Sequence, residues 1–230
     1  MNTAIIAAGG KGVRMNADIR KQYLVLDHIP ILTRSVFPFD MCTLIDRIII
    51  TVPEEDLNYC RHNIIAPYSF SKKIEIVKGG SERQESVFEG LKAAASSDIV
   101  VIHDGVRPFV TPDMIETCIR ETGRYGAAIF AMPAFDTLKQ ANGKNQIIGT
   151  IDRKRIWMAQ TPQCFDYQLI MEAHKTAKKN GIIGTDDASL VEKIGRQVFI
   201  VEGTRYNMKI TTPEDLTLAR AVLHINNQEI

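Results

Sequence analysis

The segment AIIAAGGKGVRMNADIRKQYLVL, residues 4–26, decides the fold. A short apolar run reads as a buried strand, and Gly9, Gly10 and Gly12 then break it. Lys11, Arg14, Arg20 and Lys21 follow within a few residues. Glycines let backbone amides approach an anion without side-chain obstruction, and successive amides in a turn form an anion-binding concavity. Arg14 and Lys21 are spaced to clamp phosphate oxygens through charge-assisted hydrogen bonds. A plain strand-to-helix turn with surface cations is the alternative. Two familiar phosphate motifs are excluded, since Met15 stands where GxGxxG needs its last glycine and no Gly-Lys pair precedes Ser or Thr.

Working outward, the apolar runs TAIIAA, RIIITVP, KIEIVKGG, DIVVIHDG, GAAIFAMPA and QVFIVEG repeat the opening pattern. Each is short, rich in Ile, Val or Ala and closed by Gly, Pro or Asp, and continuous hydrophobicity predicts burial on both faces of a mostly parallel sheet. Between them lie helical stretches with start signals. Ser81 with Gln84 predicts a capping box, Thr111-Pro112 and Thr212-Pro213 predict an N-cap followed by proline, and Asp166 predicts a cap with Gly181 as the stop. The alternation predicts an α/β fold, a three-layer α/β/α Rossmann-like sandwich. Residues 135–157 break it: they are polar, contain Asn142-Gly143 and predict a protruding β-hairpin arm on a single domain spanning 1–230. An isolated hairpin is marginal in water, so the arm is expected to pack on something, such as a second subunit.

Composition narrows the function. With 28 Lys+Arg against 27 Asp+Glu, the net charge of +1 gives no field to recruit nucleic acid or a membrane surface, so any anion site is local. No apolar run reaches the length of a transmembrane helix, and a strand pattern that starts by residue 3 leaves no signal peptide to be expected. Cys42, Cys60, Cys118 and Cys164 are widely spaced without a CxxC pair, which fits free thiols in the cytoplasm rather than a zinc cluster or a disulfide framework.

Ligands of open α/β sheets bind at the carboxyl ends of the strands. GGSERQES (79–86) follows one strand and opens a helix, so its amides and Ser86 can face a nucleotide. HDGVRPF (103–109) sets Asp104 and Arg107 at the tip of another.

These motifs, with DTLK, TIDRKRIWMAQTPQCF, TDDAS and NMKITTPEDL in the same order, resemble the 2-C-methyl-D-erythritol 4-phosphate cytidylyltransferases of isoprenoid biosynthesis nearly end to end. The resemblance implies transfer of CMP from CTP to that polyol phosphate with release of pyrophosphate, Mg²⁺ as cofactor, and a homodimer whose arms cross into the partner's site. Related enzymes that activate ribitol 5-phosphate share most of the pattern: GGKG and HDGVRPF look like that type, whereas DTLK and TIDRKRIWMAQTPQ look like the methylerythritol type. Carried over by motif, Ala7, Ala8, Gly9, Gly10, Lys21, Gly80, Ser81 and Ser86 would hold CTP. Arg14 and Lys21 match the pair that stabilises the transition state, and Arg153 and Lys209 would aim the acceptor phosphate. Asp104, Arg107, Thr137, Arg153, Thr161, Thr185 and Lys209 match positions that contact the sugar phosphate, with Asp104 also the candidate contact for Mg²⁺.

The chemistry needs no Ser-His-Asp or Cys-His arrangement, because a phosphate monoester is already a nucleophilic anion near neutral pH. His103 is therefore expected to be structural. Other classes fit less well: a glycosyltransferase would show Asp-x-Asp, a nicotinamide oxidoreductase would show GxGxxG, and a non-catalytic nucleotide sensor would have little need of cations at four separate motifs.

Overall fold

The computed structural model describes residues 1–10 and 19–226. In chain order the strands are β1 (Asn2–Ala7), β2 (Val25–Leu26), β3 (Ile29–Pro30), β4 (Arg47–Val52), β5 (Lys73–Lys78), β6 (Ile99–Asp104), β7 (Ala127–Pro133), β8 (Leu138–Ala141), β9 (Ile147–Ile151), β10 (Trp157–Asp166) and β11 (Phe199–Glu202). The helices are α1 (Ile31–Met41), α2 (Leu57–Tyr59, running into a π-helical turn over Cys60–Ile65), α3 (Arg83–Ala93), α4 (Pro112–Tyr125), α5 (Tyr167–Lys179), α6 (Asp187–Lys193) and α7 (Pro213–Asn226).

The main sheet has the order β11-β7-β10-β6-β1-β4-β5. All six apolar runs read from the sequence are in it, and every pairing is parallel except those of β10, which runs antiparallel between β6 and β7. Within the uniformly apolar strands a period of two still sorts the side chains. Ala4, Ile6, Ile48, Ile50 and Val101 pack with Val36 and Phe39 of α1 and with Ile115 and Cys118 of α4. Ile5, Ile49, Val100 and Ile102 face the other way, onto Val87 and Leu91 of α3 and onto α5 and α6. That alternation makes three layers, with Gly90 letting α3 lie close on the sheet: a Cβ there would be 2.6 Å from Ile5 Cγ2. A smaller cluster, Leu26, Ile31, Val106, Phe109, Ile210, Ala219 and Val222, seats α7 beside the β2–β3 ribbon.

The caps follow the sequence with one correction. Thr111 Oγ1 accepts from the Met114 amide, Thr212 Oγ1 from the Asp215 amide, and Asp166 Oδ1 from the amides of Gln168 and Leu169. Gly181 closes α5 in the left-handed region at φ 64°. At α3 the expected Ser81–Gln84 box does not form. The Glu85 carboxylate instead accepts from both the amide and the hydroxyl of Ser81, at 2.8 and 2.7 Å. Gln84 bridges to the chain after α5, donating to the Ile182 carbonyl and accepting from the Gly184 amide.

The hairpin is present as β8 and β9, but not with a two-residue turn at Asn142-Gly143. Asn145 is the left-handed residue, at φ 60°, and the Asn142 side chain accepts from the amides of Lys144 and Gln146. Trp157, which the sequence places at the base of the arm, is the first residue of β10 and pairs there with Pro133 of the main sheet.

Candidate active site

Strand ends build the site. Each loop leaving the sheet is held by one further backbone bond beyond its strand: the Ala8 amide to the Thr51 carbonyl, the Gly79 amide to the Val52 carbonyl and the Gly105 amide to the Ala7 carbonyl. The turns after β1 and β5 converge on Ser86 at the start of α3. A Cβ on Gly9 would lie 2.8 Å from Ser86 Oγ, and one on Gly79 2.7 Å from it, so a side chain at either position would displace the Ser86 hydroxyl. Ser86 Oγ in turn lies 3.2 Å from the Gly80 amide.

A cleft of about 320 Å³ opens over these turns, lined by Ala7, Ala8, Gly9, Gly10, Lys21, Gln22, Ser81, Glu82, Arg83, Ser86, Asp104, Val106 and Lys209. Lys21 belongs to a 3₁₀ turn over Lys21–Tyr23 whose other residues anchor it. Gln22 Nε2 donates to the Ala8 carbonyl at 2.7 Å, Tyr23 donates to Asp56, and Arg20 ion-pairs with Glu55 and Asp56 at 2.5 and 2.6 Å. A cation on so fixed a base is preorganised for a phosphate. Arg14, the other cation proposed for that task, lies outside the described residues.

A second recess of about 220 Å³ adjoins the first, lined by Arg83, Asp104, Arg107, Ala159, Gln160, Thr161, Gln163, Thr185, Asp186 and Lys209. The two lobes share Arg83, Asp104 and Lys209. Asp104, at the tip of β6, is almost fully buried and meets three cations. Oδ1 accepts from Arg83 Nε at 2.9 Å, while Oδ2 faces Lys209 Nζ at 2.9 Å and Arg107 Nε at 3.4 Å. Burial alone would raise its pKa, but Arg83, Lys209 and Arg107 together hold it well below the usual carboxylate range.

Behind Asp104, the network around His103 assigns a tautomer. The Asp104 amide donates to Thr161 Oγ1, at 3.1 Å, and that hydroxyl has its proton left for His103 Nδ1, at 3.0 Å. His103 Nε2–H then donates to the Arg107 carbonyl at 3.0 Å. The ring is fully buried, and burial lowers its pKa to about 4, so it is neutral and both nitrogens are committed. It has no proton-transfer capacity to spare.

The sequence-derived site residues thus fall into groups. Ala7, Ala8, Gly9, Gly10, Lys21, Ser81 and Ser86 line the first lobe, with Gly80 beside Ser86; Arg107, Thr161 and Thr185 line the second, and Asp104 and Lys209 both. Thr137 and Arg153 line neither: they lie on the arm, where Arg153 donates to the Phe135 carbonyl. Asp104 does not suit a metal ion, because both its oxygens already face cations. Among the described residues no group of three or more His, Cys, Asp or Glu side chains is placed to hold one. The sequence reading missed Arg83, Gln22 and Gln163. Arg83 stands inside the GGSERQES motif, but nothing in its neighbours distinguishes it from a solvent-facing arginine.

Comparison with known proteins decides the family. The family model described as IspD, 2-C-methyl-D-erythritol 4-phosphate cytidylyltransferase, matches residues 2–225. The chain belongs to this family. A family member from Syntrophus aciditrophicus is 49% identical over 221 residues, covering 96% of this chain and 94% of the relative, and one from Geotalea uraniireducens is 45% identical over 230 residues, covering 99% and 98%. Both carry the name 2-C-methyl-D-erythritol 4-phosphate cytidylyltransferase. Among solved structures, the 4-diphosphocytidyl-2C-methyl-D-erythritol synthase of Anaerococcus prevotii superposes with a TM-score of 0.85 at 32% identity, covering 97% of this chain and 96% of the other. The Francisella tularensis cytidylyltransferase gives 0.82 at 31%, covering 96% and 99%. This family member is therefore a nucleotidyltransferase on an α/β sandwich, and among its described residues no helix is long and apolar enough to cross a membrane.

Proposed function

We propose that this chain transfers the cytidylyl group of CTP to 2-C-methyl-D-erythritol 4-phosphate, giving CDP-methylerythritol and pyrophosphate. The observation that carries the reading is the pair of lobes meeting at Arg83, Asp104 and Lys209, in a chain of this family. CTP takes the first lobe, with its triphosphate over the β1 turn and Lys21. The acceptor takes the second, with its hydroxyls toward Asp104 and its phosphate toward Lys209 and Arg107.

An oxygen of the acceptor phosphate then attacks the α-phosphorus of CTP. The bond from the α-phosphorus to the bridging oxygen breaks, and pyrophosphate leaves with the electron pair. The nucleophile is already anionic, so no side chain has to remove a proton, consistent with a committed, neutral His103. The barrier is electrostatic: two like unit charges 4 Å apart repel by about 4 kcal/mol at an effective dielectric near 20. Lys21, Lys209 and Arg107 offset that repulsion and hold the reacting groups in line, and positioning with charge stabilisation is the main source of rate in phosphoryl chemistry. Mg²⁺, if bound, would supply further charge neutralisation to the triphosphate, and among the described residues no group of three or more His, Cys, Asp or Glu side chains is placed to hold it.

The active unit in this reading is a homodimer in a cytoplasmic setting. Thr137 and Arg153 do not reach their own cleft, and the arm around them exposes Ile147, Ile148 and Ile151 to solvent. All four cysteines are buried and unpaired, which suits a reducing compartment.

The deciding experiment is pyrophosphate release by the purified protein with CTP and Mg²⁺, comparing methylerythritol 4-phosphate with ribitol 5-phosphate. Release with the first alone is expected. Release with the second alone would overturn the acceptor but keep the transfer chemistry, and CTP binding without release from either would make the protein a nucleotide sensor.

A further inference from the structure

Asp104 is held by three cations that are not equivalent. Lys209 is the more solvent-facing of its Oδ2 partners, with 37% of its side chain exposed, and it lines both lobes. Arg83 takes the other oxygen and is itself tied down from behind. Its Nη1 donates at 2.8 Å to Asp187 Oδ2, a fully buried carboxylate on the first turn of α6. Asp187 Oδ1 meets Nε2 of His174 at 3.1 Å, also fully buried, on α5. Behind His174 the Phe88 ring of α3 stacks at 6.1 Å between centroids. Burial would raise the pKa of Asp187, but Arg83 and His174 keep it low, so the carboxylate is charged. A continuous chain thus runs from the second helical layer to the shared floor of the two lobes: His174, Asp187, Arg83, Asp104.

An arginine suits this place for geometric reasons. Its planar fork presents Nε and Nη1 to two carboxylates at once, whereas a lysine offers a single point charge that cannot span both. The arrangement also divides labour among the cations. A buried carboxylate cannot be left without compensation, so if Arg83 were absent only Arg107, at 3.4 Å, and Lys209, at 2.9 Å, would remain on Asp104, and Lys209 would be held there more firmly.

We propose that Arg83 is a positioning residue, held by the buried Asp187–His174 pair, that fixes Asp104 and so releases Lys209 to exchange Asp104 for the phosphate of the acceptor. The inference rests on the cytidylyl-transfer reading of the same site. It assigns functions to Arg83, which lines the floor shared by the two lobes, and to Asp187 and His174, which lie behind it and line neither. Its effect is expected mainly on the acceptor, because the CTP turns around Ser86 and Lys21 are anchored by bonds that do not involve Arg83, although Arg83 also lines the first lobe.

The test uses Arg83→Lys and Asp187→Asn, both of which preserve approximate volume, with His174→Gln as a third variant that keeps a donor for Asp187. Each is assayed only after its melting temperature and circular dichroism have been compared with the parent. Expected in Arg83→Lys and Asp187→Asn is at least about a tenfold rise in KM for the acceptor with KM for CTP within about threefold of the parent. A merely structural role would instead lower the folded fraction and kcat while leaving both KM values in place. A folded Arg83→Lys protein with parental acceptor KM overturns the inference while leaving the transfer reading intact.

If the parent itself releases no pyrophosphate, the transfer reading fails, and the inference is judged on the chemistry of Lys209. Acetylation of Lys209 by acetic anhydride, quantified by mass spectrometry, is expected to slow several-fold in Asp187→Asn, because the ammonium is then retained by Asp104. An unchanged or faster rate refutes the proposed exchange.

Discussion

Lowering the pH should destabilise this protein through one identifiable ring. His103 is fully buried, its Nδ1 is occupied by the Thr161 hydroxyl proton and its Nε2–H by the Arg107 carbonyl, and its pKa falls from an ordinary 6.5 to about 4. A depressed histidine pKa means that the unfolded chain binds the proton more readily than the folded one. The stabilisation from the neutral ring is therefore complete above pH 6.5, falls as the pH drops toward 4, and changes no further below that. Between pH 7 and pH 4.5 the loss is about 2 kcal/mol, a large share of the stability of an ordinary domain. Asp104 and Asp187, whose pKa values are depressed, lose their contribution only below the ordinary carboxylate range, outside this window. The assay is urea unfolding followed by circular dichroism at half-unit intervals from pH 7 to 4.5, with His103→Gln alongside. The variant should be less stable at pH 7 but should fall less steeply, by about 2 kcal/mol over the interval. Parallel curves for the two proteins would refute the buried neutral ring.

Other expectations follow from the same geometry. Lys21→Ala should lower kcat by at least about a hundredfold, the scale of losing one preorganised electrostatic group, with the fold intact by circular dichroism; normal turnover in the folded variant would remove Lys21 from the chemistry. Arg153→Ala and Lys21→Ala proteins, each impaired, should regain activity when mixed and allowed to exchange subunits, because one site in each heterodimer then has both parental residues; no recovery despite demonstrated exchange would place Arg153 outside the partner's site. Gly90→Ala should cost about 1–3 kcal/mol in chemical unfolding, since its Cβ would meet Ile5 and Thr51 at 2.6 and 3.1 Å. EDTA should abolish pyrophosphate release and excess Mg²⁺ should restore it, while the melting temperature of the ligand-free protein stays within a degree or so, because among the described residues no group of three or more His, Cys, Asp or Glu side chains is placed to hold an ion.

The parallel core was legible because its strands are buried on both faces. Runs such as IIITV and IVVIHD have no polar alternation to confuse with a helix, and proline or glycine closes them. Strand β10 was not legible as a strand. WMAQTPQCFD is mixed in polarity, Pro162 interrupts it, and the register slips between Ala159 and Gln163, so the segment carries no period at all. Its place in the sheet comes from partners on either side, Val100–Ile102 and Ala127–Ile129, that tertiary contact supplies and local sequence does not.

The site shows the same division. Ser86, Asp104 and Lys21 could be placed near strand ends because Asp104 ends an apolar run and Ser86 and Lys21 follow an apolar run and a glycine-containing loop. Arg83 could not, since its partners Asp104 and Asp187 are 21 and 104 residues away. The same holds for Glu85, which took the role expected of Gln84 because its carboxylate reaches back to both donors of Ser81.

The insertion of β10 between β6 and β7 also orders events in time. Strands β1, β4, β5 and β6 form an unbroken half-sheet from the first 104 residues, and it already carries the glycine turns, Ser86 and Asp104. Strand β7 follows in the chain but has no neighbour until residues 157–166 enter the gap beside β6. A chain emerging from the ribosome can thus form all of its nucleotide lobe but the Lys209 side well before its acceptor lobe exists, and until β10 arrives β6 is an open edge able to pair with another chain. Chaperone dependence and aggregation during synthesis should therefore peak for nascent chains ending between β7 and β10, when most of the first substrate lobe is present and the second is not.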